Sequence, residues 1–478
     1  MAQLENREYG IEEYVPMEDR HIGFIDMAAI WMGGNAHPAS WWSGGAIAAT
    51  GFIGVLGITF IANPIAYAIM ALIAFMGFKV ATTSIGLTRV TFGISGSKVP
   101  AAANALALMG WAFIGNFLAA ITYSYLFQGF FGWPAFGEPG SVPIMMAGAA
   151  INGILAFILV VVSGSRSIKI AQRVIVSALV ILSVWMTYTV LSSFPLADII
   201  SWQPDESMRM PFGVGFDVMA AYSFGWMLCV SEFSRYTRTK SAATIAPMVG
   251  TNLGMFWFAL VGAISVIAVV LKTGVFNPDF SDPSSVAQAL GIGWVALLVM
   301  VLATVSTNLI NVYVGSLSTV NIFPKLKLKW TILGYSIICI LMSWVPIFSG
   351  QFVGAFYSFM HYLGTVYPPI CAIMIVDYYI IRKRNYDINQ LGNKSGPYWY
   401  TNGVNWYAVA AFVIGVILMQ TMEHYHFGAN STGAVIPNFF ASCVVYYVLA
   451  KIAIKRMDYK DVVSPEIALE NGDSSIKQ

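Results

Sequence analysis

About twelve apolar runs, each roughly twenty residues or longer, follow one another along this chain. A run of that length is what a helix needs to cross the hydrocarbon core of a bilayer, about 30 Å thick. In lipid every backbone N–H and C=O must find a partner inside the protein, which leaves closed barrels and helices, and runs this long are helical. The expected fold class is therefore an all-α polytopic membrane protein. The runs cover residues 24–48, 51–78, 99–130, 143–164, 170–194, 213–233, 245–272, 290–320, 330–349, 352–381, 404–423 and 434–454.

The charges fit the same reading. Of 478 residues only 10% are charged and 58% are hydrophobic, against about 25% charged in a soluble domain. Basic residues cluster after runs 2, 4, 6, 8 and 10: Lys79/Arg89/Lys98, Arg166/Lys169/Arg173, Arg235/Arg238/Lys240, Lys325/Lys327/Lys329 and Arg382/Lys383/Arg384/Lys394. Arg7, Arg20, Lys451, Lys455, Arg456, Lys460 and Lys477 lie toward the ends, and only Arg209 and Lys272 fall in the opposite loops. Basic residues resist translocation, so both termini are expected in the cytoplasm and the number of spans is expected to be even. The expected organisation is a cytoplasmic N-terminal tail (1–23), a transmembrane domain (24–454) and a cytoplasmic C-terminal tail (455–478). The polar first 23 residues do not read as a cleavable signal. A net charge of +2 argues against a nucleic-acid partner. Cys229, Cys339, Cys371 and Cys443 lie inside apolar runs without zinc-like spacing and are expected as buried thiols.

Two spans read as broken. Span 1 holds Gly33-Gly34-Asn35-Ala36-His37-Pro38 at mid-depth, and span 6 holds Ser223-Phe224-Gly225 near its middle. Proline has no N–H to donate and glycine weakens a helix. Breaks at corresponding places in two halves point to a transporter binding site. The interval between them fits a five-plus-five inverted repeat, 24–194 and 213–381, followed by helices 11 and 12 over 404–454. Ordinary kinks are the competing reading, since glycine and proline are common in membrane helices.

The breaks focus the search for ligands. In span 8, Ser306 and Thr307 share a face with the Ala303 carbonyl, and hydroxyls that bond back to the preceding turn loosen carbonyls there. Neutral oxygen donors of this kind suit a small monovalent cation, and unwound backbone at Gly33 and Ala36 would add carbonyls. Helix packing is the alternative role for such hydroxyls. Trp111 with Asn116 in span 3, and Phe224 with Trp226 around Gly225, place aromatics beside the breaks, where they can stack on a planar ligand. Asn308 and Asn311 offer paired donors and acceptors for ring edges. His37 sits in the span 1 break as a candidate substrate contact. Asp217, Glu232 and Asp377 are expected near helix ends, the last two beside Arg235 and Arg382, as local ion pairs. His361 is expected to hydrogen-bond a neighbour. No catalytic triad or nucleotide-binding motif stands in a suitable context, so neither a membrane enzyme nor an ATP-driven pump is indicated.

Several stretches resemble one family in order along residues 20–455. They are Ala39-Ser40-Trp41-Trp42-Ser43-Gly44-Gly45, Gly86-Leu87-Thr88-Arg89 with Phe92-Gly93, and Ser231-Glu232-Phe233-Ser234-Arg235-Tyr236. Further on come Pro368-Pro369 through Val376-Asp377-Tyr378-Tyr379 and Arg382, then Tyr398-Trp399-Tyr400-Thr401 with Val404-Asn405-Trp406. The family is the nucleobase:cation symporter-1 group, which includes purine–cytosine permeases and hydantoin and allantoin transporters. The resemblance implies a leucine-transporter-type fold working by alternating access, and symport of a planar heterocycle with Na+ or H+ and no cofactor. It implies Trp111 as a stacking residue, with Phe224 or Ser223 as the second. It implies Na+ at Ala303, Ser306 and Thr307 with carbonyls of Gly33 and Ala36. The chain departs from the family where cytosine-transporting members have a glutamine in place of Leu108, and where hydantoin-type members have one in place of Gly115. His37 or Asn116 is the candidate for the missing polar contact. A thiamine-precursor pyrimidine, allantoin or hydantoin is the alternative cargo. The alternatives of another class are a membrane sensor, which would carry a soluble output domain, and a passive channel, which would need a continuous polar pore. The expected partners are the small heterocycle and the lipid bilayer, with a monomeric chain.

Overall fold

The computed structural model describes residues 9–10, 13–323 and 325–455, and of residues 163–173, 321 and 455 the backbone only. Arg7, Arg456, Lys460, Lys477 and the expected tail beyond 455 lie outside the described residues, as do the side chains of Arg166, Lys169 and Arg173. Among the described residues the secondary structure is helical, with two isolated bridges and no strand. Eleven helical stretches are long and apolar enough to cross a membrane.

The first run is a pair of half-helices. α1 (Phe24–Asn35) ends at the glycines and α2 (Pro38–Ala46) begins at the proline. His37 is extended at φ −145° and caps α2: its Nδ1 accepts the Ala39 N–H at 2.9 Å. Proline suits the first turn, where its missing N–H has no intrahelical partner to lose. α1 and α2 are each shorter than a span, which accounts for the difference between the twelve expected runs and the eleven stretches.

α3 (Phe52–Val80) leads through the short α4 (Ser84–Phe92) to α5 (Lys98–Phe131). The runs expected as spans over 143–164 and 170–194 are both present, as Ser141–Val162 and Val174–Ser193, and the backbone between them is helical too, so they form one continuous helix, α6 (Ser141–Ser193). The polar stretch between them lowers hydropathy, but it contains no proline, and Gly164 alone does not stop the backbone ladder. A short α7 (Leu196–Ser201) precedes α8 (Phe212–Phe224), which stops at Gly225, the second break. The backbone tightens into 3-10 turns over Met227–Cys229 before α9 (Ser231–Ser234).

The second half continues with α10 (Lys240–Thr273), α11 (Pro283–Leu290), α12 (Trp294–Ile322) and α13 (Leu328–Ser349). α14 (Phe352–Val376) runs into a π turn at Asp377–Ile381, and α15 (Trp406–His424) and α16 (Val435–Lys455) complete the chain. The broken pair packs on α10 at backbone distance. A Cβ on Gly44 would stand 1.9 Å from the Ala259 carbonyl oxygen, and one on Gly262 would stand 2.0 Å from that of Trp41. Small residues let membrane helices approach this closely, which brings dispersion contacts that lipid cannot replace.

Residues of three of the basic clusters, those after runs 2, 6 and 10, meet on one face, called proximal here. Arg238 donates to the Arg20 carbonyl, Arg89 to that of Leu391, and Lys240 and Arg384 both lie over the Phe75 ring. The chain before α1 is laid down on this face. Ile22 bridges Thr237, Arg20 reaches the Phe78 carbonyl at 2.9 Å, and Arg235 reaches the Tyr9 and Gly10 carbonyls. Asp377 forms the expected pair with Arg382 at 2.9 Å and also accepts the hydroxyls of Tyr386 and Tyr446. Glu232 takes the Ser84 N–H at 2.9 Å at the start of α4, while Arg235 is spent on the carbonyls just named. Asp217 caps α16 by accepting the N–H groups of Ala434 and Val435. His361 bonds Glu423 at 2.8 Å.

Candidate functional site

The two breaks face each other across the middle of the bundle. Ser40, in the first turn of α2, shares a 2.6 Å hydrogen bond with the Tyr222 hydroxyl on the last turn of α8. Asn35, closing α1, donates to the Tyr67 hydroxyl of α3 and to the Thr251 carbonyl of α10. Ser223 donates to Asn63 of α3 at 3.2 Å. Both breaks are thus held against α3 by buried polar contacts.

The backbone stays right-handed through Gly225 and Trp226, so Trp226 faces α5 on the side of Tyr222, four residues before it. The Trp111 and Trp226 rings lie 16° from parallel with centroids 6.4 Å apart. A flat ring between two parallel rings needs planes about 7 Å apart, twice a carbon contact distance. A small outward shift of either indole provides that spacing. Tyr222 and Phe359 meet Trp111 nearly edge-on, at 5.0 and 4.9 Å. Trp31 of α1 meets Trp226 at 89°. The result is an aromatic slot walled by α1, α5, α8 and α14. The Trp226 Nε1 is buried without a partner.

The other stacking candidates point elsewhere. Phe224 is fully buried with its ring against Phe439 of α16, and Ser223 is committed to Asn63 of α3. One residue of helix rotation, about 100°, separates these directions.

The amides form a network between helices. Asn308 donates to the Ala112 carbonyl at 3.0 Å and to Asn116 Oδ1 at 2.7 Å. Asn152 donates to the same Asn116 oxygen, and Thr304 donates to Asn152. A Cβ on Gly115 would lie 2.2 Å from Asn308 Oδ1, so the amide of α12 occupies the space beside Gly115. Asn308 Oδ1 and Asn311 Nδ2 are buried and unpartnered. His37 is buried as well. Because its Nδ1 accepts from Ala39, the proton sits on Nε2, which has no partner and is a donor only.

On α12, Thr307 donates to the Ala303 carbonyl at 2.9 Å, and Ser306 is buried one residue before it. Ala36 closes α1 by donating to the Met32 and Gly33 carbonyls. Ala36 and Ala303 pack in one apolar cluster with Trp41. Among the described residues, no group of three or more His, Cys, Asp or Glu is placed to hold a metal ion. A cation at this site would meet neutral oxygens. Tyr222 and Phe359 are absent from the sequence reading. Tyr222 carried a signal, a tyrosine just ahead of a break, whereas Phe359 lies in an unbroken stretch and carried none.

Residues 14–449 match the family described as permeases for cytosine/purines, uracil, thiamine and allantoin. The chain belongs to this permease family. It is a multi-span membrane transporter and not an enzyme. A putative purine-cytosine permease of Bacillus subtilis (strain 168), YxlA, is 25% identical over 95% of this chain and 98% of its own length. The allantoin permease of the same organism is 24% identical over 87% of this chain and 88% of its own. The cytosine permease of Escherichia coli (strain K12) is 24% identical over 84% and 86%. The solved structure of Mhp1, a nucleobase-cation-symport-1 transporter closed around bromovinylhydantoin, superposes with a TM-score of 0.73 at 18% identity, covering 94% of this chain and 96% of that one. Its inward-facing form gives 0.75 at 18% identity over 93% and 96%. The permease fold in this chain is therefore that of Mhp1, built around two interrupted helices.

Proposed function

We propose that this permease imports a nucleobase or related planar heterocycle by symport with a cation, Na+ or H+, through alternating access. The observation that carries the proposal is the near-parallel pair of Trp111 and Trp226 beside the second break, which an outward shift of either indole opens to the spacing of a flat ring. Trp111, Trp226, Tyr222 and Phe359 supply the stacking surface. Asn308 Oδ1, Asn311 Nδ2, the Trp226 N–H and the His37 N–H are among the buried unpartnered polar atoms, and they can read ring edges. Asn116 acts by holding Asn308. Phe224 and Ser223 support the slot from behind.

Relatives named for purine–cytosine, allantoin, hydantoin and cytosine favour a ring substrate. Ala303, Ser306, Thr307 and the carbonyls of Gly33 and Ala36 are the proposed cation ligands, and their neutral oxygens favour Na+. The proposed organisation keeps two inverted halves, 24–194 and 213–381, with 404–454 appended. The proximal face is assigned to the cytoplasm because it gathers the basic residues. We take the chain to act as a monomer.

The test is a thermal-shift screen of purified protein against nucleobases, hydantoins, allantoin and thiamine pyrimidines, in sodium and in potassium. Stabilisation by one ring class, larger in sodium, is the expected result. Stabilisation independent of sodium assigns coupling to protons and leaves Ser306 and Thr307 as packing residues. No response to any ring would overturn the substrate class.

A further inference from the structure

One buried carboxylate stands apart from the aromatic slot. Asp282 opens α11 at the distal end of the bundle and is fully buried. Its Oδ1 accepts the N–H groups of Ser284 and Ser285 at 2.9 and 3.0 Å, while its Oδ2 is buried with no partner. Among the described residues no Lys, Arg or His pairs with it. A dehydrated carboxylate without a cation favours its neutral form.

The surroundings explain the burial. The Ser284 hydroxyl meets that of Thr122 at 2.7 Å, and the Tyr125 hydroxyl donates to Ser285 at 3.2 Å, so α11 is fastened to α5. Trp42 of α2 donates to the Ser281 hydroxyl at 3.0 Å on the adjoining turn. These are hydroxyl and indole contacts across helix boundaries, and none holds charge. The titratable neighbours are few. α5 brings Tyr125, and α2 brings no titratable side chain. α10 brings Lys272, which is bound to the Ala289 carbonyl at the other end of α11. Tyr313 of α12 packs in another cluster, with Cys339. On the same loop, Asp279 accepts the Val353 N–H of α14. Tyr357 of α14 donates to the Ala46 carbonyl, and Glu138, beyond α5, holds Gln128 and the Ala135 N–H.

We propose that Asp282 is a proton-binding site that ties closure of the distal end to the acidity of the solution on that side. With α11 seated on α5 and α2, the carboxyl is dry, and Oδ2 holds one proton taken from solvent. When α11 lifts, water reaches the group and the proton leaves to solvent. Burial raises the Asp282 carboxyl from its ordinary 3.8 to about 6. The seated arrangement therefore keeps its proton through a range in which the lifted one has released it. Acid favours seating, and the preference fades as pH rises through about 6. The inference does not depend on which ring the permease carries or which cation drives it.

The test needs no substrate. In full-length purified protein with Cys229 and Cys443 replaced by alanine, a cysteine is placed at Ala287, buried on α11, or at Gln288, its exposed neighbour. The ratio of their N-ethylmaleimide rates is followed from pH 5 to pH 8. With Asp282 present, the ratio is expected to rise about tenfold between pH 5 and 7 and then level off. With Asp282→Asn it is expected to stay low and flat, and that series also corrects for the reagent's own pH dependence. A flat ratio with Asp282 in place overturns the proposal, and so does the same rise in Asp282→Asn. If the asparagine variant does not fold, the series with Asp282 still decides, because a flat line there removes the proton site.

Discussion

Gly115 has no side chain where Asn308 extends its carbonyl oxygen: a Cβ would stand 2.2 Å away. The two positions on α5 and α12 are therefore filled as a unit. Gly115→Gln is expected to cost about 1–3 kcal/mol by overpacking, seen as a lower unfolding temperature. Removing the opposing amide at the same time, with Asn308→Ala, is expected to recover part of that loss. A double-mutant cycle with no coupling between them would show that the amide can step aside freely.

The parallel indoles are the second point of attack. Trp111→Ala and Trp226→Ala are each expected to weaken ring binding about tenfold or more, since an aromatic contact contributes about 0.5–1.5 kcal/mol beyond its buried area. Phe224→Ala should behave in the opposite way. It is expected to cost about 3–5 kcal/mol of stability as a buried phenylalanine, with ring affinity in the surviving folded protein unchanged. Isothermal binding alongside unfolding curves separates the two outcomes.

Thr307→Val keeps the shape of the side chain and removes the hydroxyl that bonds Ala303. About 1 kcal/mol of stability is expected to go with that bond. The informative quantity is the difference between sodium and potassium in ligand-induced stabilisation, which is expected to vanish. An unchanged sodium effect would return Thr307 to a packing role.

Asp282 also predicts how overall stability depends on pH. The unfolded carboxyl titrates near 3.8 and the folded one near 6. The folded state thus binds the proton more tightly, and this contribution is complete below 3.8. It declines as pH rises through about 6, a loss on the order of 3 kcal/mol. Unfolding temperatures measured from pH 4 to 8 are expected to fall more steeply with Asp282 present than in Asp282→Asn. Parallel curves would mean that another group sets the slope.

The Asp377–Arg382 pair, both partners buried, is expected to be structural. Asp377→Asn leaves Arg382 short of its charge partner on the proximal face and is expected to destabilise by about 3–5 kcal/mol. The loss should appear as less folded protein, with ligand affinity in the folded fraction unchanged.

Much of this architecture is legible in the chain. Gly33-Gly34 and Pro38 mark the first break because glycine weakens a helix and proline has no N–H to donate, and Gly225 marks the second. Asp377 and Arg382 are close enough in sequence to pair within one turn. What pattern cannot convey is direction after a break. Trp226, rather than Phe224 or Ser223, faces Trp111 because the chain keeps right-handed helical dihedrals through Gly225 and Trp226, which leaves Trp226 on the side of Tyr222 four residues before it. The continuity of α6 is hidden for a related reason, since a drop in hydropathy is not a backbone stop. Phe359 and Asp282 belong to tertiary structure alone: one is a phenylalanine among many, the other a loop aspartate until α5 and α2 close around it.

The segment ahead of α1 has a mechanical meaning. Ile22 pairs with Thr237, Arg238 donates to the Ile22 carbonyl, and Arg235 grips Tyr9 and Gly10. The lead-in to the first half-helix and the exit from the second break are thus stitched into one piece of backbone. A pull on residue 9 is transmitted to Arg235, nine residues beyond Trp226, before it reaches α1. The two broken helices share a single handle, so a displacement applied at Tyr9 moves the α1 and α8 sides of the slot together.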